Sequence, residues 1–135
     1  MSPMQKFAWF NLAVIALTLV VVFAFIPFLG YHATGGLGCL GFLGLGPLFF
    51  RKKPGQVLTD ERDHLIQRRS VILAYALFWV LFIVAALAAS MIYGKTGAVP
   101  IRVVQLSVWS GFMFVYAVMS MAILLQYAGG SKDAE

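Results

Sequence analysis

The ionisable side chains of this chain are gathered into one island, RKKPGQVLTDERDHLIQRR from Arg51 to Arg69, and long stretches on either side hold almost none. A hydrocarbon core about 30 Å thick is crossed by roughly 20 consecutive apolar residues. Stretches of that length have no aqueous fold available at this chain size, so they dictate a polytopic membrane protein whose soluble part is little more than the island. The composition agrees, with 61% hydrophobic residues, 11% charged residues and a mean hydropathy of +0.90.

Four windows qualify as spans, and the expected fold is an all-α, four-helix transmembrane bundle in one membrane domain, residues 1–135, with both termini cytoplasmic. The windows cover about 7–29, 34–50, 70–93 and 101–127, with the cytoplasmic loop at about 51–69. The third contains no charged side chain. The fourth is long enough to tilt or protrude. The second is the shortest and carries six glycines before Pro47.

Basic residues in short loops stay on the cytoplasmic side. Placing the island inside leaves Lys6, Arg51, Lys52, Lys53, Arg62, Arg68, Arg69 and Lys132 inside and only Lys95 and Arg102 outside, eight against two. The first window is longer than the apolar part of a secretory signal and lacks a small-residue cleavage site after it, which reads as a retained span. Cys39 is the only cysteine, so neither an intrachain disulfide nor a C-x-x-C redox pair can form. The net charge of +5 follows from the positive-inside bias; with no nucleic-acid-reading motif, no nucleic-acid partner is expected.

Gly35, Gly38, Gly41 and Gly44 recur every third residue of the second window. In lipid, small residues let two backbones approach and gain van der Waals contact, so these four are read as a helix-packing seam. A softer helix lining a cavity is the other reading. The run lacks the G-K-[ST] ending of a phosphate loop.

Within the island, Pro54-Gly55 marks a turn and Thr59 suits a helix N-cap, with Asp60, Glu61 and Asp63 in the first turn against the positive end of the dipole. One helix from about Thr59 to Tyr93 is predicted. Only His64 offers these acids a cation at helical spacing. Asp60, Glu61, Asp63 and His64 are therefore the candidate partner-docking residues, with an acid reaching a base on the Arg51–Lys53 segment or on another chain. Arg51, Lys52, Lys53, Arg68 and Arg69 are assigned to topology and anionic lipid headgroups. Glu61-x-x-His64 is one copy of a motif that di-iron bundles use in pairs, and no metal site is assigned.

Proton-coupled transport marks its spans with buried acids or bases. No Asp, Glu, Lys or Arg lies deep in these spans, and Arg102 is near enough to an end to snorkel. Asn11, Thr18, Gln105, Ser107, Ser110, Tyr116 and Ser120 are polar, and interhelical hydrogen bonding is their expected use. Trp9, Tyr93 and Tyr127 are placed at interfaces, and Trp79 and Trp109 between helices.

The arrangement Asp60-Glu61-Arg62-Asp63-x-x-Ile66 directly before an apolar span, in a chain of this size, resembles small uncharacterised prokaryotic membrane proteins grouped as a domain of unknown function. The resemblance implies a multi-pass protein of a prokaryotic inner (plasma) membrane. It carries over no catalytic residues, and no catalytic residue or cofactor is expected. The function read from these features is a non-enzymatic integral membrane interaction protein, either an accessory subunit of a larger membrane complex or the membrane partner of a cytoplasmic regulator. Its partners would be membrane lipids and other membrane subunits or further copies of itself. The alternative is a homo-oligomeric passive channel or small-solute carrier, its path lined by the glycine-rich second and polar fourth helices.

Overall fold

The computed structural model describes residues 2–46, 61–94 and 97–129. Helix α1 (Pro3–Leu29) starts on a capping box: the Gln5 backbone N–H donates to Ser2 Oγ at 3.2 Å and the Ser2 N–H donates to Gln5 Oε1 at 2.8 Å. Two orphan amides are thus satisfied reciprocally, and Pro3 occupies a first-turn position where its missing N–H costs nothing. Helical residues continue without a break to Leu45, but the chain reverses at Gly30, whose φ of 53° suits a residue without Cβ.

The returning segment corrects the expected architecture. Among the described residues three helical stretches, not four, are long and apolar enough to cross a membrane: Pro3–Leu45, Glu61–Tyr93 and Ile101–Gly129. Where a second α-helical span was expected over 34–50, residues Gly30–Leu45 form a 3₁₀ helix, η1, folded back along α1; residues 47–50 lie outside the described ones. The four-helix bundle is therefore replaced by three long α-helices and a 3₁₀ arm.

Two rows of residues spaced by three accommodate this arm. A 3₁₀ helix has three residues per turn and eclipses side chains at i and i+3, which normally keeps it short. Here Gly35, Gly38, Gly41 and Gly44 make one of the three rows nearly free of side chain, and Leu37, Leu40 and Leu43 make a second, buried row against Val14 and Ile15 of α1. The pairing is antiparallel. Gly36 meets Val21 and Val22, and ten residues later Gly46 meets Phe7. At about 2.0 Å per residue that segment of η1 rises about 20 Å, matching the roughly 22 Å that α1 covers between the same contacts.

Helix α2 (Glu61–Tyr93) is continuous for 33 residues, with Glu61 and Asp63 in its first turn; Thr59 and Asp60, expected to start it, lie outside the described residues. It ends at Gly94, with φ 67°. Helix α3 (Ile101–Gly129) follows Pro100, whose carbonyl accepts from the Val103 N–H at 2.9 Å. Helix α3 is the hub, packed on α1 along one side and on α2 along the other.

Apart from the leucine row of η1, the interior between α1, α2 and α3 mixes small and polar side chains with a few aliphatic ones. The buried residues of α1 are Ala8, Asn11, Val14, Ile15 and Thr18, those of α2 are Asp63, Ile66, Ser70 and Ala74, and those of α3 are Ser120, Ala122 and Ile123. Outward lie Phe23, Phe28, Phe82, Ile92 and Leu125, with Phe28 83% exposed. Lipid offers no hydrophobic reward for burying a leucine, so helices in a bilayer close on small contacts and hydrogen bonds. Trp79, expected between helices, is 55% exposed and makes edge contacts with Phe78 and Phe82 on its own helix, whereas Trp109 packs against the α1–η1 cluster as expected.

Candidate interaction site

The charged end of the molecule gathers the first turns of α1 and α2 and the last turn of α3. The Tyr127 hydroxyl donates to the Asp63 carboxylate and lies 3.8 Å from the Met4 sulfur, so one phenol joins three helices. One level deeper, Gln126 Nε2 donates to Ser70 Oγ at 2.9 Å and to the Ala122 carbonyl at 3.2 Å. Deeper still, Asn11 Nδ2 donates to Ser120 Oγ at 3.3 Å. Three polar rungs thus run inward over about 10 Å of α3; the outermost ties three helices and the other two tie two each.

The other end has a smaller clasp. Arg102 stands 4.7 Å from the centre of the Tyr31 ring, and the Tyr31 hydroxyl bonds to Gln105 Oε1 at 3.1 Å. Together they fasten the start of η1 to the first turns of α3. The ring quadrupole attracts the guanidinium, which fits an arginine held at the edge of an apolar region.

Among the predicted partner-docking residues, Asp63 is buried and taken up by Tyr127, a phenol rather than a base. Glu61 and His64 are exposed on α2, and Asp60 is outside the described residues. Of the expected headgroup residues, Arg68 and Arg69 are exposed on α2, while Arg51, Lys52 and Lys53 fall outside the described residues. Gly35, Gly38, Gly41 and Gly44 point outward from η1, with no heavy atom within 4 Å of the position a Cβ would take. Close approaches between helices occur instead at Gly36, at Gly46 and at Gly111, where a Cβ would come within 2.9 Å of Phe78.

Interhelical hydrogen bonding is realised at Asn11 and Ser120, as the polar residues of the spans led one to expect. Thr18 and Ser107 instead bond back to the carbonyls of Val14 and Val103 on their own helices, at 2.8 and 2.7 Å. Sequence reasoning missed the pairs Asp63–Tyr127 and Ser70–Gln126. Their signal was a polar residue on each of two antiparallel helices at matching distance from the charged island.

Helices α2 and α3 leave two open grooves beside their contact. One, of about 430 Å³, is lined by residues that include Phe82, Ala85, Leu106, Ser107, Ser110 and Phe114. The other, of about 660 Å³, is lined by Tyr75, Phe78, Phe82, Ser107, Gly111 and Tyr116 among others. A model of the predicted membrane protein family DUF2178 matches residues 4–128. The chain belongs to that family. No curated protein and no solved structure matches it. The DUF2178 match runs from the first turn of α1 to the end of α3, and so spans the residues that form the 3₁₀ arm, the polar rungs and both grooves in this chain. In this DUF2178 member the rungs hold helices together, and no three His, Cys, Asp or Glu side chains gather among the described residues.

Proposed function

We propose that this chain is a non-enzymatic interaction subunit of a prokaryotic inner (plasma) membrane, assembling with other membrane helices through α2. The observation that supports this most directly is that Ala74 is the last buried residue of α2, although the helix continues to Tyr93. Over the about 28 Å of helix that follow, nearly a full bilayer core, no side chain of α2 is buried, and α3 covers it only in part, through contacts such as Phe78 on Gly111. The uncovered length includes Ala85, Ala86, Ala88, Ala89 and Ser90 beside large apolar residues, a surface that admits close helix approach. Asn11, Asp63, Ser70 and Ser120, four of the five buried polar residues among those described, bond across helices, which supports a scaffolding use.

The test is photo-crosslinking from Ala85 and from Ala89 in native membranes. The reading requires a heterologous membrane subunit at fixed stoichiometry. Crosslinks only between copies of this chain, together with solute flux through the purified oligomer, would replace it with the passive channel. In a single chain the grooves that hold Ser107 and Ser110 are built by α2 and α3 alone, so a common path with the glycine row of η1 would have to form between chains.

A further inference from the structure

Outside the polar rungs, the exposed side of α2 carries a groove of about 450 Å³ lined by His64, Gln67, Arg68, Val71 and Ile72. Its polar residues lie toward the charged end and its apolar residues lie deeper. No acidic side chain is in the lining; Glu61, three residues before His64, stands beyond its outer edge. A guanidinium presents a planar fork of N–H donors suited to phosphate oxygens.

The helix repeat extends this groove. His64, Arg68, Val71, Tyr75, Phe78 and Phe82 follow one another at alternating steps of four and three, and so share one face of α2. Tyr75, Phe78 and Phe82 form the α2 wall of the 660 Å³ groove against α3. A cationic recess at the membrane boundary therefore leads into an apolar, aromatic-walled channel at bilayer depth. From Arg68 to Phe78 the axis rises about 15 Å, the depth of one leaflet in a core of about 30 Å.

We propose that this lane is a binding site for one anionic phospholipid. The phosphate is held by Arg68 with Gln67 and His64 as further donors, the first part of an acyl chain lies on Val71 and Ile72, and the remainder fills the groove between α2 and α3. A zwitterionic headgroup brings no net charge to a recess whose lining holds the Arg68 guanidinium and no carboxylate, so the site favours net negative charge.

Native mass spectrometry of the full chain released from detergent, with phosphatidylglycerol and phosphatidylcholine of equal acyl length in competition, tests the site. Phosphatidylglycerol should be retained preferentially, and Arg68→Gln should reduce that preference about tenfold, the loss of a charge-assisted contact. Arg62→Gln makes the same change in net charge on the far side of α2 from the lane and should leave the preference intact. A short-chain phosphatidylglycerol should bind more weakly, and inorganic phosphate should not displace the lipid. Equal losses in the two arginine variants would reduce the effect to general electrostatic attraction and overturn the site. So would equal retention of the two lipids, equal binding of the short-chain analogue, or displacement by phosphate alone.

Discussion

The amide nitrogen of Asn11 lies 3.3 Å from the hydroxyl of Ser120, and both residues are fully buried between α1 and α3. Asn11 Oδ1 has no hydrogen-bond partner among the described residues. The pair is thus a single-bond tie between helices, and its value is set by how the membrane-embedded unfolded state satisfies the same groups. Such ties average about 0.6 kcal/mol in double-mutant cycles. A cycle built from Asn11→Ala and Ser120→Ala, read by steric trapping in bicelles, should give a coupling of that order. A coupling of zero would remove the tie from the account of α1–α3 packing.

Tyr127→Phe should destabilise the charged end, because it leaves the buried Asp63 carboxylate without its phenol donor. The expected cost is about 1–3 kcal/mol, seen as a lower melting temperature in detergent. Pairing Tyr127→Phe with Asp63→Leu removes both polar partners together and should recover part of the loss. Failure of the double variant to recover anything would mean that packing of the ring, rather than the hydrogen bond, carries the contact.

Glycine substitutions should separate two roles along η1. Gly36→Leu places a branched side chain against Val21 and Val22, where a Cβ alone would approach to 3.2 Å. Overpacking of this kind costs about 1–3 kcal/mol. Gly41→Leu enters open space within the chain and should leave monomer stability nearly unchanged, so any defect it causes belongs to assembly. Quantitative unfolding of the two variants, alongside their elution in mild detergent, reads both effects; equal destabilisation would contradict the outward orientation of Gly41.

At the opposite end, Tyr31→Phe keeps the ring under Arg102 but deletes the bond to Gln105, while Tyr31→Leu deletes both. A cation–π contact at an exposed site contributes about 0.5–1 kcal/mol. Hydrogen exchange at the Gly30 reversal should therefore accelerate modestly in Tyr31→Phe and further in Tyr31→Leu. Identical exchange in the two variants would assign the clasp to the hydrogen bond alone.

Hydropathy and charge along the chain were enough to determine a helical membrane protein, the long helix that carries Glu61 through Tyr93, and the helical windows around α1 and α3, because each depends only on the local length of apolar sequence. The state of residues 30–45 was not determined locally. The glycine spacing of three is compatible with a packed α-helix and with a 3₁₀ helix, and the choice fell to the match between Leu37, Leu40 and Leu43 and the face of α1 that receives them. The glycine row then turned outward, opposite to the seam that its small residues suggested. Asp63 illustrates the same limit: its sequence neighbours offered only His64, yet its partner is Tyr127, 64 residues away. Which polar groups pair is decided where antiparallel helices meet at a common depth, and that register exists only once the helices are packed.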